Sequence, residues 1–136
     1  MESSKFLVDL MDLIETKRLH GISTGDSIAL ARNVFGPEEL PKARLGRRSK
    51  LYSHLYGNLN FIEENDVIIS IIIDLHGNRQ KIVDISYKKR SVSDWIILFK
   101  NKKWNIRNND EVISFGSIGA SLDFSPSGKL EMVSLT

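Results

Sequence analysis

Residues 51–75 read LYSHLYGNLNFIEENDVIISIIIDL, and this stretch decides the fold. Its apolar residues recur at every second position. Leu51, Leu55, Leu59 and Phe61 fall at odd numbers, with Tyr52, His54, Asn58 and Asn60 between them. Val67, Ile69, Ile71, Ile73 and Leu75 continue the odd series against Ser70 and Asp74. A period of two marks strands with one buried face. Ile68 and Ile72 are then expected on the less buried face. Val83, Ile85 and Tyr87 repeat the alternation against Asp84 and Ser86, predicting a third strand. The turns Glu64-Asn65-Asp66 and His76-Gly77-Asn78 are short, so the three strands are expected to form an antiparallel meander.

Upstream of this stretch the period is helical. Phe6, Leu7, Leu10, Met11 and Ile14 predict a helix over 4–18, capped by Ser3 or Ser4 and followed by Gly21. Ile28, Leu30, Ala31, Val34 and Phe35 predict a second helix over 26–35, which Gly36-Pro37 ends. Residues 38–50 read as a loop with Pro41, Gly46 and the cations Lys42, Arg44, Arg47, Arg48 and Lys50. Downstream, Trp95, Ile96, Ile97 and Phe99 predict a third helix over 93–102, capped by Ser91 or Ser93. Strands are expected at 104–107 running into 112–115, at 118–124 and at 129–135, with turns at Asn108-Asn109-Asp110 and Ser125-Pro126-Ser127-Gly128.

The halves resemble each other. Residues 23–30 can be laid on 91–98, and Asn58-Leu59-Asn60-Phe61 on Ser121-Leu122-Asp123-Phe124. Each half reads helix, connection, hairpin, over about 21–87 and 91–136. A degenerate duplication of this kind builds one continuous sheet. The expected fold is α+β: a single domain over 1–136, with an antiparallel sheet of about six strands and three helices mostly on one face.

Composition narrows the chemistry. The 136 residues include 19 Lys and Arg against 17 Asp and Glu, a net charge of +2 that does not demand a nucleic acid or an anionic membrane. With no cysteine there is no disulfide, thiolate metal site or Cys nucleophile. The longest apolar stretch, 67–73, is too short to span a bilayer, and no leader pattern opens the chain, so a cytoplasmic protein is expected. Gly25-Asp26-Ser27-Ile28 has the look of a lipase nucleophile block but precedes a helix, where Asp26 and Ser27 serve as caps. His20, His54 and His76 are singletons without metal-ligand spacing, and each reads as a surface residue. Neither a phosphate loop nor a calcium loop is present. The expectation is a non-enzyme without cofactor or metal.

Two charged segments remain as candidate contacts. The basic loop offers Arg44, Arg47 and Arg48; the acidic turn offers Glu63, Glu64 and Asp66. Solvated surface charge is the plainer reading of both. A nucleic-acid groove would want exposed aromatics among the cations.

The order Gly21-Ile22-Ser23-Thr24, a helix, Phe35-Gly36-Pro37-Glu38, a basic loop and then Leu55-Tyr56-Gly57-Asn58-Leu59-Asn60-Phe61 resembles a family of small bacterial proteins. Their core signature is Tyr-Gly-(Asp/Asn)-Leu-Glu-Phe, and some look like immunity proteins against secreted polymorphic toxins, including those of contact-dependent inhibition. Asn60 stands where that signature prefers Glu. The helix-then-meander unit is also similar to the tandem-repeat fold of β-lactamase inhibitor proteins and of small outer-membrane assembly lipoproteins; the chain lacks the cysteine that lipid attachment needs. The resemblance implies a cognate toxin domain as protein partner, no catalytic residues and no cofactor. The alternatives are a nucleic-acid-binding module or a non-enzymatic adaptor.

Overall fold

A computed structural model describes residues 6–38, 41–77 and 81–136. Among them, strand β1 (Phe6–Asp9) leads into helix α1 (Leu10–Thr16), followed by α2 (Ile28–Phe35), β2 (Ala43–Arg44), β3 (Leu51–Tyr56), β4 (Leu59–Glu64) and β5 (Val67–Asp74). Then come β6 (Val83–Ser86), α3 (Val92–Asn101), β7 (Asn105–Asn108), β8 (Ile113–Ser117), β9 (Ala120–Phe124) and β10 (Leu130–Leu135). The class is α+β, with an antiparallel sheet of eight strands rather than six, ordered β2-β3-β4-β5-β10-β9-β8-β7. Among the described residues no helix is long and apolar enough to cross a membrane.

The alternation in residues 51–75 is real, but its phase is not constant. Tyr56 pairs with Leu59, and Glu64 with Val67, so each hairpin turn has two residues. A two-residue turn pairs an even position with an odd one. The buried face therefore passes from His54 and Tyr56 on β3 to Leu59 and Phe61 on β4, then to Ile68 on β5. A bulge at Ile69 restores the odd series, and Ile71 and Ile73 are buried. Leu51 and Leu55, expected inside, are half-buried on the other face, while Val67 and Ile69 are exposed.

Two further expectations change. Phe6–Asp9 is a strand, not the first turns of a helix, and Asp9 caps α1 through Asp12 N–H. Its parallel partner is β6, so Val83–Ser86 leaves the main sheet instead of extending the meander. The proposed caps Ser3 and Ser4, and Asn78 of the second turn, lie outside the described residues. Ser27 and Ser91 do cap α2 and α3.

The sheet order is a palindrome. Helix α2 with β2–β5 and helix α3 with β7–β10 follow the same path, and β5 meets β10 at the centre. Both four-stranded halves carry the same irregularity: Ile69 is the extra residue on β5, and Glu131 on β10. Ile72 pairs with Ser134 on the axis relating the halves. Matching the turns and caps places Ser27 with Ser91, Phe35 with Phe99 and Phe61 with Leu122. The alignment of Phe61 on Phe124 is two residues out of step, a slip that keeps each side chain on the same face and so leaves the period of two unchanged.

Cross-strand pairs project to one side, so Phe61, Ile71, Ile73, Val133, Leu122 and Phe115 share a face. Helix α3 covers it with Trp95 and Phe99, whose rings lie 4.7 Å from Phe124 and 4.6 Å from Phe115. Helix α2 covers the other half through Phe35, 5.9 Å from Phe61.

Candidate partner-binding edge

The basic segment 42–50 lies along the β2 edge of the sheet. Ala43 pairs with Ser53 and Arg44 with Tyr52, so the first part of the expected loop is a short edge strand. Lys and Arg on so short a strand discourage edge-to-edge aggregation. Arg44 donates to the Arg47 carbonyl (3.2 Å) and to the Tyr52 hydroxyl (3.4 Å). Lys42 Nζ stands 4.4 Å above the Tyr52 ring. These side chains, with Arg48, Lys50 and Asp66, line a groove of about 510 Å³.

The register thus brings the two candidate segments together. Arg44, Arg48 and Asp66 face one groove; Arg47 is exposed beside it and holds Arg44 through its carbonyl. Glu64 is half-buried on the β4–β5 pairing and does not line the groove. Glu63 also lines the groove, but at its floor: it is 1% accessible, because it follows Phe61 by two residues on the inward face of β4.

Beneath the groove lies a cluster that the sequence did not suggest. His54 is fully buried, not on the surface. Its Nδ1 is 2.7 Å from Glu38 Oε1, and its Nε2 is 3.2 Å from Glu63 Oε1. Arg32 Nε donates to the same Glu38 oxygen at 3.0 Å. Lys42 Nζ lies 3.6 Å from Glu63 Oε1, and Glu63 Oε2 accepts from the Asp66 N–H at 2.9 Å. A continuous ionic chain therefore runs Arg32–Glu38–His54–Glu63–Lys42. Each nitrogen of the buried ring thus faces a carboxylate oxygen.

Burial by itself would raise the Glu38 carboxyl. Hydrogen bonds from His54, from its own backbone N–H and from Arg32, with the Arg32 charge, outweigh burial and hold it at about 2. Burial likewise opposes ionisation of Glu63, but the Asp66 N–H, His54 and Lys42 bring it below the usual range. Tyr56, next in line on the inner face of β3, is pushed up to about 12 by burial and by the Glu38 charge, with Arg32 opposing. Parity across the Gly57-Asn58 turn was the one signal that pointed His54 inward, since it puts His54 opposite buried Phe61.

The other histidines stand apart. His20 is exposed, with its ring 5.0 Å from that of Phe6. His76 is 60% accessible and bridges Asp74 (3.5 Å) and Glu131 (3.2 Å). Among the described residues no group of three His, Asp or Glu is placed to hold a metal. A larger open groove of about 730 Å³ lies across β7–β9 and includes Lys103, Arg107 and Asp123, the last already accepting from the Ser114 hydroxyl at 2.7 Å. Comparison with protein-family models, with curated proteins and with solved structures finds no match to this chain.

Proposed function

We propose that the protein is a non-enzymatic binding protein of the immunity type, which holds and neutralises a cognate toxin domain in the bacterial cytoplasm. The observation that supports this reading is the groove at the β2 edge. Cations from 42–50 and Asp66 from the β4–β5 turn, distant in sequence, converge on one surface. Mixed charges in fixed positions select a protein partner and speed its approach. They suit an acidic protein surface better than a phosphate backbone. The groove's aromatic ring, Tyr52, already has Lys42 Nζ 4.4 Å from its centroid, a cation where a stacked base would lie. His54 argues in the same direction: both ring nitrogens already face carboxylates, so it is not poised as a base toward an outside substrate. The same reading takes the two matching halves as a degenerate internal duplication within one domain.

Co-expression with candidate toxin domains tests the proposal. The expected result is growth rescue together with a stable complex of the two proteins. A double reversal, Arg44→Glu with Arg48→Glu, should abolish rescue while leaving the fold intact. Rescue by no candidate toxin domain, with strongly salt-dependent binding of random RNA instead, would overturn the reading in favour of a nucleic-acid module.

A further inference from the structure

Equivalent corners of the two halves carry different chemistry. With the β3–β4 and β8–β9 turns matched, His54 stands at the place of Phe115, and Glu63 at the place of Phe124. Phe115 and Phe124 are fully buried, 5.5 Å apart, and both rings meet Phe99. This architecture therefore closes that corner with hydrocarbon in one half. In the other half it buries an imidazole and a carboxylate, although ionic groups in a core stabilise less than apolar ones of similar volume.

The difference tracks the edge strands. Chain enters β7 from Trp104, whose ring packs 4.9 Å from Phe99. Lys42 immediately precedes β2 and Glu38 lies upstream of it, and both belong to the polar chain centred on His54. One edge is fastened by aromatic packing and the other by charge.

We propose that His54 is a positioning residue for partner recognition: it holds Glu38 and Glu63, and through them Arg32 and Lys42, so that the cationic β2 edge is presented in one fixed geometry. This rests on the reading that the β2 edge receives the partner. A side chain held before binding loses less freedom on binding, and that difference appears as affinity. Imidazole fits the task because its two ring nitrogens point in opposite directions, each at a carboxylate. Phenylalanine fills the same space without holding either.

Hydrogen exchange read by mass spectrometry on the protein alone tests the anchor. His54→Phe copies the other half, so the protein should fold, with exchange over 42–53 accelerated about tenfold or more and exchange over 113–124 unchanged. Glu38→Gln keeps the buried ring and should loosen the same segment to a lesser degree. Unchanged protection over 42–53 in folded His54→Phe, or uniform loss across all eight strands, would overturn the proposal. If His54→Phe does not fold, Glu38→Gln decides, and unchanged exchange over 42–53 in that variant overturns it. No toxin enters this test, so its failure is distinct from failure of the immunity reading; a loose β2 edge with unchanged affinity for a toxin domain from which the protein rescues growth would overturn the role of His54 in recognition and leave the immunity reading standing.

Discussion

His54 and its two carboxylates make acid the natural probe of the individual residue. Glu38 is held at about 2 against its usual 4.5, so the folded state binds its proton less readily than the unfolded chain does. A carboxyl with a depressed folded value contributes stability that is complete above the unfolded value and lost as pH falls toward the folded one. Denaturant unfolding should show stability falling between about pH 5 and pH 2, with a shallower fall in Glu38→Gln. At pH 7 the variant should be less stable by about 1–2 kcal/mol, because His54 and Arg32 lose a charged acceptor. Equal acid limbs for the two proteins would contradict the geometry. The sequence hid this cluster for a physical reason. Glu38 follows a Gly-Pro helix stop and reads as loop, and His54 lies between apolar odd positions until the hairpin turn is known to have two residues.

Among the elements, the β1–β6 pair depends on one side chain. Asn58 is 2% accessible; its amide donates to the Asp74 and Val83 carbonyls, and its Oδ1 accepts from the Ile82 and Val83 N–H groups. The β3–β4 turn thereby holds β6, on which β1 pairs. Asn58→Ala leaves buried backbone groups unpaired and should cost about 3 kcal/mol, with early loss of protection at 6–9 and 83–86. On the other side, the turn before β10 closes against α3. Gly128 has φ +89°, a Cβ there would lie 2.5 Å from the Arg90 carbonyl oxygen, and its own carbonyl accepts from Trp95 Nε1 at 3.0 Å. Gly128→Ala should lower stability by about 2 kcal/mol or more, read as a reduced thermal midpoint. An unchanged midpoint would show that the α3–β10 junction yields freely. Helices α2 and α3, the Gly36-Pro37 stop and the last hairpin were legible because periodicity, caps and turn residues agree locally. Strand β1 was not: Phe6-Leu7-Val8 fits either period, and its parallel partner lies far along the chain.

For the whole molecule, the palindromic sheet explains how a short chain builds eight strands with two exposed edges. The matching order of elements in the two halves was legible, but not the register of their strands, because the bulges that set it are invisible to spacing. The halves share a path and a bulge, yet one edge is aromatic at its root and the other ionic. That asymmetry is the ground on which we propose the ionic edge for recognition. Exchange footprinting of the protein with a candidate toxin domain from which it rescues growth tests this most directly. The account predicts protection on binding over 42–52 and around Asp66, with 105–108 at the opposite edge unchanged. Protection confined to the β7–β9 side, with 42–52 exchanging as in the free protein, would contradict it.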